Sequence, residues 1–291
     1  MRPRAYVISL QTAADRRLLV SKSLAGLGID FEIVDGVDGR AFDPEAQPIY
    51  DGPRRRALYG HDMVGGEVGC LLSHRGVLRR MVERRAGPAL VLEDDVMLHP
   101  GFVAAVDALM DRRDRWELVR FLGGEKILRQ PQRRLLDLGG GLHLSRLATQ
   151  PGGAAAYLVS ESGAAKLLKH LDRTPFPIDA LMGRPWLTGV DNMIAGPGLA
   201  DQNPAFRSDI GAARFISHRR IAANADLGRN LTVAWRRLSD NVASRATFWA
   251  KAPADYLRAA ATGRPPVQPV AQAARYQLTP RSSASTVARP R

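Results

Sequence analysis

Residues 89–96 read Ala89-Leu90-Val91-Leu92-Glu93-Asp94-Asp95-Val96: four apolar side chains in succession, then three carboxylates. A short apolar run that follows Gly87-Pro88 suits a strand buried on both faces, as in a parallel sheet. Carboxylates at the mouth of such a strand repel one another and lose hydration unless a cation or a hydrogen-bond network neutralises them. Hard divalent cations, Mg²⁺ or Mn²⁺, take oxygen ligands and complete their shells with water and substrate phosphates. The stretch therefore points towards a nucleotide-diphosphate substrate. The plain alternative is a strand that stops in a solvated acidic turn, and these eight residues alone leave both readings open.

Upstream, Tyr6–Leu10 is an apolar strand candidate, and an amphipathic helix opens at Asp15-Arg16-Arg17 and closes at Gly28. Phe31–Val34 is a second strand, running into the tight loop Asp35-Gly36-Val37-Asp38-Gly39. Arg40–His61, with three prolines, reads as an irregular segment able to act as a mobile flap. Gly65-Gly66-Glu67-Val68-Gly69-Cys70 leads into a helix through Val82. Downstream, a helix is expected over Gly101–Met110, a strand over Trp116–Leu122 ending at Gly123-Gly124, and an Arg-rich loop after it. Gly152-Gly153 then feeds a strand through Ser160 and a helix over Ser162–Leu171, while Pro175–Asp179 and Asp191–Ser208 read as loops. Alternating strands and helices predict an α/β fold with a mostly parallel, doubly wound sheet, whose ligands gather at the carboxyl ends of the strands.

With 291 residues, 45% of them hydrophobic, the chain can bury a sizeable core. The single cysteine, Cys70, excludes an intramolecular disulfide, and helix packing explains it better than nucleophilic chemistry. The apolar stretch near the N-terminus is too short for a secretory leader, and no run is long enough to span a bilayer. A cytoplasmic location is expected, with a peripheral position on the inner face of the cytoplasmic membrane open to it. The net charge of +13 is uneven: residues 212–291 carry 14 Lys or Arg against 3 Asp, and the remaining 211 residues are nearly balanced. In residues 225–251, Leu231, Ala234, Trp235, Leu238, Val242 and Trp249 share one helical face, with most arginines elsewhere. Such a helix can lie in an anionic membrane interface or pack its apolar face on the domain. From Thr262 onward Pro, Ala, Ser and Arg dominate and disorder is expected. The organisation read from these features is a catalytic domain over 1–220, a basic helical extension over 221–260 and a tail over 261–291.

Several blocks, in order, resemble glycosyltransferase family 25, the lipopolysaccharide and lipooligosaccharide biosynthesis galactosyltransferases related to collagen galactosyltransferases. They are Val7-Ile8-Ser9-Leu10 with Asp15-Arg16-Arg17, Val34–Gly39, Gly66–His74, Val91–Asp95, Trp116–Val119, Tyr157–Ser160 and Pro177-Ile178-Asp179. The similarity covers roughly residues 5–210 and stops before the basic helix. It implies a GT-A-like, Rossmann-type fold with helices on both faces of the sheet, a UDP-sugar donor (most often UDP-galactose) and transfer with inversion to a glycan or lipid-linked glycan. It gives Glu93-Asp94-Asp95 the role of the metal motif for Mn²⁺ or Mg²⁺. Asp95 is then the direct ligand, Glu93 acts through water or the ribose, and Asp94 orients the loop. His218 is the candidate second ligand by its order in the chain, or else a surface histidine among arginines. Asp179 is preferred to Asp191 as general base, although a helix-cap role is open to it. Arg16 is expected near the diphosphate or uracil, and Val37 and Asp38 at the base and ribose. Ser73 and His74 can touch the sugar and a phosphate; alternatively Glu67 caps its helix and His74 is a core histidine.

Two other functions compete. Paired carboxylates also serve glycoside hydrolysis, but adjacent acids on a strand suit a metal better than a flanked sugar. A nucleic-acid binder built on the basic segment is disfavoured, because that segment has few stacking aromatics and no known reader motif.

Overall fold

The computed structural model describes residues 2–121, 130–206 and 227–260. Its centre is an eight-stranded sheet in the order β2-β1-β3-β8-β5-β9-β7-β6. The first βαβ unit comprises β1 (Arg4–Ser9), α1 (Ala14–Gly26) and β2 (Phe31–Asp35), and β3 (Ala89–Glu93) lies parallel on the other side of β1. The reversed strand β8 (Ala156–Val159) separates β3 from β5 (Leu118–Phe121), and β9 (Asn192–Gly196) is parallel to β5. The hairpin of β6 (Gln132–Gly139) and β7 (Leu142–Leu147) completes the far edge. Strands β2, β1, β3, β5, β9 and β6 run one way and only β8 and β7 run back, the mostly parallel α/β arrangement expected.

Alternation along β3 explains its unbroken apolar run. Ala89 and Val91 enter the core under α3 (Gly65–Glu83), α5 (Glu161–Leu168) and the short α6 (Ile178–Met182). Leu90 and Leu92 enter the opposite core under α1 and α4 (Phe102–Met110). The strand ends at the first of the acids. Glu93 is its last residue, Asp94-Asp95 form a two-residue turn, and β4 (Val96–Leu98) leaves to pair antiparallel with β10 (Ala200–Gln202). The acids therefore sit on a turn between two ladders, and strand alternation does not govern Asp94.

Three segments depart from the sequence reading. Arg40–His61 is an anchored wall and not a flap: it contains α2 (Gly52–Tyr59), and the buried Tyr50 bridges to Thr174 and donates its hydroxyl to Asp62. The Arg-rich stretch after β5 yields the β6–β7 hairpin, because two of its arginines, Arg133 and Arg146, are buried among carboxylates. The stretch after Asp191 supplies β9 and β10 through the same ion pairing, since Asp191 binds Arg146 at 2.6 Å. Gly123-Gly124, Arg214, His218 and the tail 261–291 lie outside the described residues.

The basic extension forms α8 (Leu227–Ala250) and α9 (Ala252–Ala260). The short α7 (Pro185–Thr188) and α2 lie against α8. Asp255, 1% exposed, accepts from Arg133 Nη2 and from Arg146 Nε and Nη2, each at 2.9 Å. Phe248 lies under the Arg133 guanidinium, 3.8 Å from ring centre to Cζ. Asp240 pairs with Arg184 and Arg236 at 2.6 and 2.8 Å. The extension is thus held to the body mainly by charge and small polar groups.

Asp191, bridged by Arg146 and Lys251, ties this clasp to β9. Burial alone would raise its pKa, but hydrogen bonds and charge from Arg146 and Lys251 carry it down from 3.8 to about 2. A depressed carboxylate stabilises the folded state fully above 3.8 and loses that contribution as pH falls through about 2. The shift corresponds to roughly 2 kcal/mol. On acidification from pH 5 towards 2, residues 231–257 are expected to lose hydrogen-exchange protection before β3 does. Simultaneous loss in both would show that the clasp does not depend on Asp191.

Candidate functional site

The register of the first three strands brings the ends of β1, β2 and β3 together, with Ser9 opposite Asp35 and Ile8 opposite Glu93. The segments that follow each strand surround one cavity of about 510 Å³ with the first half of α3. Arg16 and Arg17 divide the labour at its entrance. Arg17 clamps the backbone, donating to Ser9 and Leu10 carbonyls at 2.9 and 3.0 Å and pairing with Asp35 at 2.6 Å. Arg16 lines the cavity, 3.6 Å from Asp94 and stacked over Phe206.

Loop 36–40 is pressed directly on α3. A Cβ on Gly39 would fall 1.8 Å from the Gly65 carbonyl oxygen, and one on Gly69 would fall 2.5 Å from that of Val37. Neither position admits a side chain without moving backbone. Ser73 fastens the same junction, accepting from Val37 N–H at 2.8 Å and donating to Gly69 O at 2.7 Å. Its hydroxyl is used in holding the loop. Val37 and Asp38 reach the cavity, and Arg40 hydrogen-bonded to Asp38 lowers that carboxyl to about 2.

The three acids have different surroundings. Glu93 Oε1 meets His74 Nε2 at 3.3 Å and the Cys70 thiol at 3.9 Å. His74 is fully buried, with its other nitrogen 2.9 Å from the Tyr157 hydroxyl. Both ring nitrogens thus face protein partners, as in the core-histidine reading, and the ring orients Glu93. Asp94 is satisfied by the Ser9 hydroxyl at 2.6 Å and by Arg16. Asp95 is the ill-provided member: it is buried, and among the described residues Oδ1 has no partner and Oδ2 has only Gln202, at 3.4 Å. Burial first, then Glu93 and Asp94, push its pKa up to about 7 against the pull of Arg16.

A buried carboxylate oxygen without a partner, beside two further acids, fits a hard cation, and Glu93 and Asp95 are the residues that would hold it. Cys70, His74 and Glu93 also place a sulfur, a nitrogen and an oxygen within 4.8 Å. In that trio the histidine is already engaged, and burial with the charge of Glu93 raises the Cys70 thiol well above its ordinary value. His218 lies outside the described residues.

Glu67 and Asp179 do not line this cavity. Glu67 accepts from Val64 N–H at 3.0 Å and caps α3. Asp179, half-buried at the start of α6, accepts from Gly153 N–H at 3.1 Å and Ala180 N–H at 2.8 Å. Its charge nonetheless reaches Cys70. Asp191, the rejected alternative base, is consumed by the clasp. Residues missed from sequence include Gln202, Arg40 and Tyr157. Tyr157 stood in a quoted block, but its contact with His74 spans 83 positions. Gln202 gave no signal.

An α/β sheet with a cavity at its carboxyl edge, bordered by an acidic turn, is an arrangement that can hold a ligand. The family model described as "Glycosyltransferase family 25 (LPS biosynthesis protein)" matches residues 2–182, and the chain belongs to that family. A glycosyltransferase 25 family member of Anopheles gambiae is 33% identical over 174 residues, covering 57% of this chain and 28% of that protein. The mouse inactive glycosyltransferase 25 family member 3 is 30% identical over 175 residues, covering 56% and 28%. Human procollagen galactosyltransferase 2 is 29% identical over 172 residues, covering 56% and 27%. The chain spans little more than a quarter of the length of these relatives.

Proposed function

We propose that this chain is a metal-dependent hexosyltransferase that transfers galactose from UDP-galactose, with inversion, to a lipopolysaccharide or other lipid-linked glycan. The observation that carries the reading is the partnerless Asp95 oxygen, in a cavity that also presents Arg16 and the 36–40 loop. The name of the human relative supports galactose as the sugar.

In this reading Glu93 and Asp95 hold Mn²⁺ or Mg²⁺, which when bound offsets negative charge growing on the departing diphosphate. Arg16 adds positive charge from the α1 side. Val37 and Asp38 border the base and ribose, held in place by Ser73 and the α3 glycines. His74 keeps Glu93 oriented through its contact with Tyr157. Asp179, whose oxygens each accept one backbone N–H, does not line the cavity, so the general base that takes the acceptor's proton is not assigned to it in this reading.

The test is nucleotide release from UDP-galactose, UDP-glucose and UDP-N-acetylglucosamine, with Mn²⁺ and after chelation, alongside calorimetric binding of UDP. Mn²⁺-dependent UDP binding with preferential release from UDP-galactose is expected. UDP binding that is unaffected by chelation would remove the metal, and preference for another donor would replace the sugar.

A further inference from the structure

Helix α8 is docked with its apolar side outward. At 3.6 residues per turn, Leu231, Trp235, Leu238, Val242 and Trp249 fall within an arc of about 60°, and they are 55–72% exposed. Tyr256 and Leu257 on α9 are also exposed, at 50% and 73%. The opposite side carries the attachments: Asp240 to Arg184, the Ser244 hydroxyl to the Ala148 carbonyl at 2.8 Å, and Lys251 to Asp191. The described residues of the body therefore leave the most hydrophobic stripe of the extension uncovered. Contiguous apolar surface of this kind marks a binding face.

Charge identifies the occupant. Both acids of residues 231–257 turn inward, Asp255 to Arg133 and Arg146 and Asp240 to Arg184 and Arg236. Arg245 is exposed on one flank of the stripe, so among the described residues the outward rim carries only positive charge. The sequence from 212 to 291 is strongly basic as well. Two copies paired antiparallel through the stripe would set this same positive flank against itself. An anionic bilayer satisfies both requirements, taking Trp, Tyr and Leu at the headgroup boundary and neutralising arginine. Among the described residues no helix is long and apolar enough to cross a membrane, so α8 would lie along the surface.

The geometry points to the outward stripe of α8 and α9 as a docking face for an anionic phospholipid surface. This does not rest on the proposed transfer reaction, and vesicle binding is read without any sugar nucleotide. The full chain is mixed with phosphatidylcholine vesicles, with and without about 30 mol % phosphatidylglycerol, and scored by co-sedimentation and tryptophan emission. Binding only to the anionic vesicles, weakened by salt and accompanied by a blue shift, is expected. Trp235→Ser with Trp249→Ser should abolish binding, and Arg245→Glu should weaken it at least about fivefold. All three side chains are exposed, so circular dichroism should be unchanged. Failure of the full chain to bind, equal binding by the serine variant, or a dimer in solution that the serine variant disrupts would each overturn the assignment.

Discussion

Asp95→Ala is expected to abolish metal-dependent donor turnover, by at least about 10²–10³-fold, while leaving the metal-free protein as stable as the parent or more so. The two halves follow from one geometry. Asp95 is buried beside Glu93 and Asp94, and among the described residues one of its oxygens has no partner and the other bonds weakly to Gln202. Ionised, it costs the fold energy, and that cost is the mark of a group kept for binding. Asp94→Ala supplies the contrast. It strips the Ser9 hydroxyl of its 2.6 Å partner and removes the carboxylate 3.6 Å from Arg16, so the melting temperature should fall. Thermal melts without metal, paired with nucleotide-release rates, check both. An Asp95→Ala protein that turns over normally, or unfolds well below the parent, would show that the turn is structural.

Asp255→Ala should cost about 3–5 kcal/mol, since it leaves two buried guanidinium groups without their shared carboxylate. Arg133 and Arg146 have side chains only 7% and 5% exposed. Arg146 keeps Asp191, whereas Arg133 keeps, among the described residues, the Phe248 carbonyl and the rings of Phe248 and Trp249. Urea unfolding should show the loss. Adding Arg133→Met should return part of it, because the orphaned charge goes with the side chain. An unchanged midpoint for Asp255→Ala would mean that the extension does not contribute to the folded unit.

The acidic turn, the βαβ opening and the α3 glycines were legible because each is local: period, punctuation and charge within ten residues of one another. The β6–β7 hairpin was not, because arginine reads as solvent-facing, and Arg133 and Arg146 are inside only through acids at 191 and 255. Tyr50 and Thr174, which pin the 40–61 segment, are likewise far apart in the chain. The stripe on α8 was plain in its spacing, but amphipathy gives a helix two sides without saying which one meets the protein. The ion pairs of Asp240, Lys251 and Asp255 and the Ser244 hydrogen bond to Ala148 decide that.

The contact of Gly39 with Gly65, main chain on main chain, makes one corner of the cavity intolerant of volume for reasons independent of chemistry. In a saturation library sorted first for soluble expression and then for turnover, Gly39, Gly65 and Gly69 should be depleted at the first gate, and Asp95 only at the second. Laboratory evolution towards bulkier donors has no slack at that corner and would have to find its room on the Arg16 side.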